Sequence, residues 1–430
     1  MSRSRRRVHV SRLAPTGEGI SRGEDGVGFV AGALPGEEVE AEVEEVRRNF
    51  WRGRAVEVRT ASKNRTLGPA EVCPGCDWGH FDLAVAREAK RDLFFETMQR
   101  IGKLPPRIFG ALPIVPSPPG HRIRNRFHVA GRGEALVIGQ FAARTHRVES
   151  VAGCRALTPG TAAILPAVRD ALARTAAAVS EVATLEDAGG ERRLARVALS
   201  DGPKRQARRD AEAVVGTLAP LFAGVRVVDH EGKLLGEAGE ARLAIEAGGR
   251  VFLVSVDTFF QGNRHLAGRL LTDAAEATRG TPGDALDAFG GVGLFAAALL
   301  DSGHDVVSVE GSPSAARDAA KTRRTWPDAA RWRIVPSSVA DYLSSSPRRF
   351  DVVVADPPRA GLARIAQPLA ARARREFVYV SCDPATLARD LRPLLDEGFE
   401  VTDARLYDLF PLTHRVEAVV TLLRGARDTA

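Results

Sequence analysis

From about residue 245 onward, short apolar runs alternate with stretches long enough to form helices. Four runs have the length of buried strands, at residues 285–289, 306–309, 352–355 and 377–380. The intervals between them fit crossover helices, which would lay the strands side by side and mainly parallel. The pattern predicts a doubly wound, Rossmann-like α/β domain over residues 244–430. Ligands of such sheets bind at the carboxyl ends of the strands, so the residues after each run are candidate site residues.

The N-terminal part of the chain has a different pattern. Residues 8–60 alternate in period two between closely spaced glycines, which is typical of a small, curved β-barrel, and we assign residues 1–62 to an OB-like module. Phe50 and Trp51 lie within a cluster of arginines, at positions 47, 48, 52 and 54. Aromatic rings beside arginines suit single-stranded RNA, but the same rings could equally be core residues of a structural module.

Between these parts, residues 63–243 predict a central α+β domain. Helical spacing is present at 93–101, short strands at 127–129 and 136–138, and an alanine-rich helix near 160–180. A length of 430 residues fits two or three domains.

Composition restricts the class of protein. No apolar run is long enough to cross a membrane and the first residues contain no apolar segment, so we expect a cytoplasmic protein with no membrane contact. Lys and Arg outnumber Asp and Glu by 61 to 54, which is consistent with a polyanionic partner.

The first chemical motif is the glycine-rich turn at residues 287–295. Its glycines would let the backbone approach a ligand closely, but they lack the spacing of dinucleotide-binding folds. The next predicted strand ends at Glu310, where an acid could hold a ribose diol. Together they fit an adenosine-containing ligand without a pyrophosphate, which points to S-adenosylmethionine.

The second motif is Asp356-Pro357-Pro358-Arg359. A carboxylate on a proline-stiffened backbone would form a rigid polar clamp for a planar base. Amino-methyltransferases have an aromatic residue after the prolines. Arg359 occupies that place here, so methylation of an amine is disfavoured.

The third motif combines Cys382 with Glu417. A thiolate that adds to C6 of uracil makes C5 nucleophilic, and a carboxylate could then remove the C5 proton. Taken alone, Cys382 would be an inert core thiol and Glu417 a surface or salt-bridged acid. His414 is an alternative base or a structural residue.

These motifs resemble those of the bacterial RNA uracil-5-methyltransferases. The resemblance rests on residues 259–263, 287–295, 309–311, 356–361, 380–390 and 410–417. It implies that Cys382 is the nucleophile and Glu417 the base. It also implies four contacts to S-adenosylmethionine, of which Gln261 and Asp356 would also orient the uracil; the four are Gln261, Phe289, Glu310 and Asp356.

The N-terminal barrel is similar to the TRAM domain, an OB-like RNA-binding module. By analogy with relatives that carry it, we expect 23S ribosomal RNA as the substrate, transfer RNA as the alternative, and a monomeric protein. A non-catalytic RNA-binding or RNA-folding protein is the competing hypothesis, although such a protein would need neither Cys382 nor Glu417.

The chain departs from the family in two places. Leu294 stands where a polar residue is often found, so any side-chain hydrogen bond from this position is lost. TRAM-bearing relatives bind a four-iron cluster through four cysteines, of which this chain has Cys73, Cys76 and Cys154. The open alternatives are completion of the site by another residue, a three-iron cluster, or a metal-free site; the residues that could complete it are Glu71, Asp77 and His80.

Overall fold

A computed structural model describes residues 4–24, 26–68, 73–142, 145–280 and 282–425. Within these ranges, none of the helices is long and apolar enough to cross a membrane.

Six strands form the N-terminal module. They are β1 (Arg5–His9), β2 (Arg12–Leu13), β3 (Gly19–Gly23), β4 (Gly26–Ala31), β5 (Glu38–Val46) and β6 (Phe50–Thr60). They pair in the order β1-β5-β6-β4-β3-β2, and β1 also contacts β3, so the sheet curls back on itself. Trp51 fills the core of this module with 2% exposure, and a Cβ at Gly28 would lie 2.3 Å from its ring. Trp51 is therefore a core residue rather than a stacking surface for RNA.

A helix and a short strand follow the N-terminal module in the chain. Helix α1 (Leu83–Thr97) begins at Asp82, whose side chain accepts hydrogen bonds from the first-turn backbone, and continues as a single π-helical turn at Met98–Gly102. A two-residue strand, β7 (Ile114–Val115), follows.

The central sheet has seven strands and two helices that pack on it. The strands are β8 (Arg124–Ala130), β9 (Val137–Phe141), β10 (Val148–Ser150), β11 (Val179–Glu186), β12 (Arg193–Leu199), β13 (Gly224–Val228) and β14 (Leu234–Gly239), in the order β10-β9-β8-β11-β12-β13-β14. The helices are α2 (Pro159–Ala173) and α3 (Lys204–Leu218). The α+β character predicted for this region is confirmed.

A hairpin and a helix lead into the C-terminal sheet. They are β15 (Leu243–Ala247), β16 (Arg250–Val254) and α4 (Ala267–Ala277). The sheet itself contains β17 (Asp284–Ala288), β18 (Asp305–Glu310), β19 (Trp332–Pro336), β20 (Phe350–Ala355), β21 (Ala373–Ser381), β22 (Phe399–Tyr407) and β23 (Glu417–Arg424). The helices between them are α5 (Leu294–Asp301), α6 (Pro313–Arg323), α7 (Val339–Ser345), α8 (Ala366–Ala370) and α9 (Pro384–Asp396).

The C-terminal sheet is doubly wound, as predicted. Its strand order is β19-β18-β17-β20-β21-β23-β22-β7, and only β23 runs against the others. The chain moves outward from β17 to β19 and then returns to β20 on the other side of β17. This reversal of direction creates a crevice at the carboxyl ends of the central strands.

The segment before the central sheet also packs on the C-terminal sheet. Phe94, Met98, Leu104 and Phe109 share a core with the buried residues of β20 and β21. β7 pairs with β22 at the far edge. The domain limits at 62/63 and 243/244 stay a prediction, and residues 83–115 contact the sheet on the far side of the second limit.

Candidate active site

The predicted site residues lie at neighbouring strand ends of the C-terminal sheet. Phe289 follows β17, Glu310 ends β18, Asp356 follows β20 and Cys382 follows β21. Glu417 begins β23, which is antiparallel, so its first residue lies at the same edge as the last residues of its neighbours. The sheet order therefore brings these residues to one crevice.

The glycine-rich turn and Glu310 are joined by hydrogen bonds. The Glu310 carboxylate accepts backbone N–H groups of Gly291 at 2.8 Å and of Ser312 at 2.5 Å. Phe289 has a φ of 65° and packs beside the core of the sheet. A Cβ at Gly290 would lie 2.8 Å from Ser308, so the turn can approach β18 this closely only with glycine.

Asp287 is a buried carboxyl that we did not predict as a site residue. One oxygen accepts the Ser308 hydroxyl at 2.9 Å, and the Trp332 indole N–H donates to that hydroxyl at 2.8 Å. The other oxygen has no partner among the described residues. Burial raises the pKa of Asp287 to about 7.

Asp356, which follows β20, is hydrogen-bonded to Gln261, which lies between β16 and α4. The Gln261 amide donates to the Asp356 carboxylate at 3.5 Å. Burial first, and then the charge of Asp287, raises the pKa of Asp356 to about 7, while the Gln261 hydrogen bond opposes the rise. The carboxyls of Asp287 and Asp356 interact with each other, and Glu310 adds a third acidic group at the same edge of the sheet. This concentration of acidic groups favours a cationic ligand. The residues present therefore fit the sulfonium cofactor that the sequence predicts.

Cys382 lies in the turn between β21 and α9. The next residue, Asp383, caps α9 by accepting the N–H groups of Ala385 and Thr386, each at 2.9 Å. Burial first, and then the negative charge of Glu417, raises the pKa of the Cys382 thiol to about 11, whereas Arg359 opposes the rise. The free protein therefore holds a protonated thiol at neutral pH.

Glu417 is enclosed, with 2% exposure. Burial first, and then the charge of Asp356, raises its pKa well above the ordinary range, and Arg359 opposes the rise. A carboxylate with a raised pKa is a stronger base than one in water. The surface-acid interpretation of Glu417 is excluded.

The segment before Glu417 is held by the N-terminal half of the chain. The Trp78 backbone N–H donates to the Leu412 carbonyl at 2.9 Å, and His414 Nδ1 pairs with the Asp77 carboxylate. Leu412 has a φ of 72°, which an L-residue other than Asn or Asp rarely adopts. The contact with Asp77 ties His414 to the N-terminal half of the chain.

Three side chains near this crevice were not predicted to act in the site. Arg359 and Arg415 interact electrostatically with the Cys382 thiol and with each other, and neither pairs with a carboxylate of the described residues. Phe259, two residues before Gln261, is 60% exposed despite its size. The signal for all three was in the sequence, because each lies within a few residues of a predicted site residue.

The cysteines form a separate cluster. The sulfur atoms of Cys73, Cys76 and Cys154 lie within 4.8 Å of one another, and those of Cys76 and Cys154 are 3.8 Å apart. Asp77 is paired with His414 instead of completing the group, and His80 is buried outside it. Glu71 lies outside the described residues. The described part of the chain supplies three of the four thiolates that a four-iron cluster uses.

Comparison with known proteins finds a match to a known family at each end of the chain. A TRAM domain matches residues 1–56, and the tRNA (Uracil-5-)-methyltransferase family matches residues 343–425. An uncharacterized RNA methyltransferase of Streptomyces avermitilis is 32% identical over 98% of this chain and 98% of its own length. The 23S rRNA (uracil(1939)-C(5))-methyltransferase RlmD of Halomonas elongata is 30% identical over 98% of this chain and 90% of its own.

A solved structure has the same fold. The Pyrococcus abyssi tRNA (uracil-54, C5)-methyltransferase, in complex with S-adenosyl-L-homocysteine, superposes with a TM-score of 0.76 at 22% identity, over 97% of this chain and 99% of that one. The fold, the order of the strand-end motifs and the full-length relatives agree. The chain belongs to the family of TRAM-containing RNA uracil-C5-methyltransferases.

Proposed function

We propose that this protein transfers a methyl group from S-adenosylmethionine to C5 of a uridine in RNA, by way of a covalent adduct to Cys382. The observation that carries the proposal is the meeting of a thiol and an enclosed carboxyl, Cys382 and Glu417, at the ends of adjacent paired strands. A protein that only bound RNA would need neither group.

The reaction needs both groups in sequence. The Cys382 thiolate adds to C6 of the uracil, and the electron pair of the C5–C6 double bond moves to the enolate, so that C5 becomes nucleophilic. S-adenosylmethionine supplies the methyl group to C5. Glu417 then takes the C5 proton, the double bond re-forms, and the thiolate leaves from C6.

The electrostatics of the site suit these steps. Cys382 must first lose its proton, and the positive charge of Arg359 favours the thiolate. Because burial raises the pKa of Glu417, its carboxylate has a high affinity for the C5 proton once it is ionised. Gln261 and Asp356 offer an amide and a carboxyl to the polar edge of the base.

The RNA must present an extruded base, since C5 and C6 are otherwise stacked within the helix. Exposed Phe259 offers a ring on which a neighbouring base can stack, and Arg359 and Arg415 offer guanidinium groups to the phosphates. The TRAM module adds a second RNA contact.

We favour 23S ribosomal RNA as the substrate, because the Halomonas relative carries that name and covers nearly the whole chain. Transfer RNA is the alternative. We further propose that the protein acts as a monomer in the cytoplasm, where either RNA is found. Mapping 5-methyluridine in both RNAs from a deletion strain and its parent would decide between them.

Trapping experiments test the mechanism directly. RNA in which the target carries 5-fluorouridine has no C5 proton to remove, so we expect it to remain covalently bound to wild-type protein in the presence of S-adenosylmethionine. The Cys382→Ala variant should give no adduct. The Glu417→Gln variant should instead accumulate an adduct with ordinary RNA, because elimination is blocked.

The same experiment separates the competing hypotheses. RNA binding with no adduct and no methyl transfer would indicate a binding protein. Methyl transfer that survives Cys382→Ser would indicate methylation of an amine.

A further inference from the structure

We propose that Cys73, Cys76 and Cys154 bind a single thiophilic divalent ion such as Zn²⁺, in place of the iron–sulfur cluster that the family resemblance implies. The described residues at this site do not fit the cluster, because they offer three thiolates, whereas a four-iron cluster is bound by four. In a cluster, moreover, each thiolate binds a different iron, so the sulfurs lie on separate corners.

The spacing of the sulfurs matches one shared ion. Two thiolates on a tetrahedral Zn²⁺, each at ~2.3 Å from the metal, are separated by about 3.8 Å. The Cys76 and Cys154 sulfurs are 3.8 Å apart, and the Cys73 sulfur is within 4.8 Å of both. One ion can therefore reach the three sulfurs with small side-chain adjustments.

His121 is the candidate for the fourth ligand. It is 2% exposed, and neither of its ring nitrogens has a hydrogen-bond partner among the described residues. Its neighbours on both sides are hydrogen-bonded to the backbone just after Cys154, from Gly120 N–H to the Arg155 carbonyl and from Arg122 N–H to the Ala156 carbonyl. A buried imidazole without a partner is costly, and coordination would satisfy one nitrogen. Its nitrogens lie outside the 4.8 Å group of sulfurs, so binding requires a change of its rotamer.

The ion would also stabilise the segment that carries the proposed base. Leu412, with 2% exposure, shares a small buried cluster with Cys76, against which Cys73 and Cys154 pack. Its carbonyl accepts the N–H of Trp78, two residues after Cys76. Because Leu412 has a strained φ of 72°, its turn depends on these surroundings. This consequence, which rests on the proposed function, makes the metal site a positioning element for Glu417.

The primary test is metal content. Full-length protein is purified without oxygen, stripped, and titrated with Co²⁺ and Zn²⁺ while thiolate-to-cobalt charge-transfer absorption is followed. We expect one ion per chain with the intense visible bands of a tetrahedral site, and we expect Cys154→Ser to abolish them. The matched control is Cys382→Ser, which should bind the ion like the wild type. His121→Ala should weaken binding at least tenfold.

Several iron atoms per chain with equivalent acid-labile sulfide would overturn the proposal, as would failure of the folded protein to bind Co²⁺ or Zn²⁺. Unchanged affinity in His121→Ala would overturn the assignment of the fourth ligand.

The coupling to Glu417 has its own readout. Removal of the ion should lower methyl turnover while adduct formation with 5-fluorouridine RNA, which does not need the base, is retained. If the proposed function itself fails, neither adduct nor turnover is seen, yet the metal stoichiometry still decides the site.

Discussion

Replacement of Glu417 by Gln should make Cys382 more reactive, even though it removes a group that the proposed reaction needs. Burial and then the charge of Glu417 raise the pKa of the thiol from 9.0 to about 11. At pH 8 a pKa of about 11 leaves about one thiol in a thousand ionised. The whole rise from 9.0 to about 11 corresponds to a thiolate fraction about a hundredfold smaller. Since burial is the larger cause, Glu417→Gln should recover only part of that factor, under conditions in which Glu417 is ionised.

The effect should depend on pH in a particular way. Burial holds the pKa of Glu417 well above its ordinary range, so below that pKa the carboxyl is protonated and has no charge to exert. Wild type and variant should then react at the same rate under acidic conditions and diverge as the pH rises. The charge of Asp356 also acts on Glu417, so the titration of Glu417, and with it the wild-type profile, should be broad.

The assay is alkylation of the RNA-free protein by iodoacetamide, followed through the Cys382 peptide by mass spectrometry over a range of pH. The matched control is Glu231→Gln, because Glu231 is exposed and lies far from Cys382 in the sequence. This variant should leave the alkylation rate of Cys382 unchanged. A Glu417→Gln rate equal to or below the wild-type rate at every pH would refute the electrostatic reasoning. So would a difference that is largest in acid.

Three further substitutions test the framework of the site. Lys90→Met removes one partner of the buried Asp408 carboxylate, to which Lys90 donates at 2.5 Å, and should lower the free energy of unfolding by about 3 kcal/mol in urea titrations. Gly293→Ala should lower the free energy of unfolding by about 3 kcal/mol or more, because the φ of Gly293 is 100° and a Cβ would lie 2.3 Å from the Trp332 ring. A variant as thermally stable as the wild type would contradict the packing described. Burial raises the pKa of Asp287 to about 7 from 3.8, so the folded state holds this proton more tightly than the unfolded state and the associated stability is lost as the pH rises through 7. Asp287→Asn should therefore raise the free energy of unfolding at pH 8 by up to about 4 kcal/mol, and the melting temperature with it, and should have little effect near pH 4. Equal changes in melting temperature at both pH values would contradict this expectation.

The sequence predicted the elements whose signal is local. β17, β20 and β21 are almost wholly buried, so their apolar runs were visible without any knowledge of their neighbours. Because the carboxyl ends of such strands converge, the positions of Glu310, Asp356 and Cys382 followed from the pattern.

Features that depend on distant partners were not predictable in this way. β19 is an edge strand in which Trp332 alone is fully buried, so its sequence does not resemble that of its neighbours. The burial of Asp287 depends on Ser308 and Trp332, which lie on other strands. Trp51 is indistinguishable in sequence from an exposed stacking residue, because its burial depends on how the N-terminal sheet curls around it.

The short strand β7 has a consequence for how the protein is made. Ile114 and Val115 pair with Leu406 and Tyr407, so this edge of the C-terminal sheet is completed by residues synthesised almost 300 positions earlier. In sequence, the central sheet therefore lies between two segments, one with β7 and one with β17 to β23, that together form the C-terminal sheet. During translation, α1 and β7 cannot pack against α9 and β22 until nearly the entire chain has been synthesised. A fragment that begins at residue 244 would leave the β22 edge and one face of α9 uncovered, and open strand edges of this kind promote aggregation.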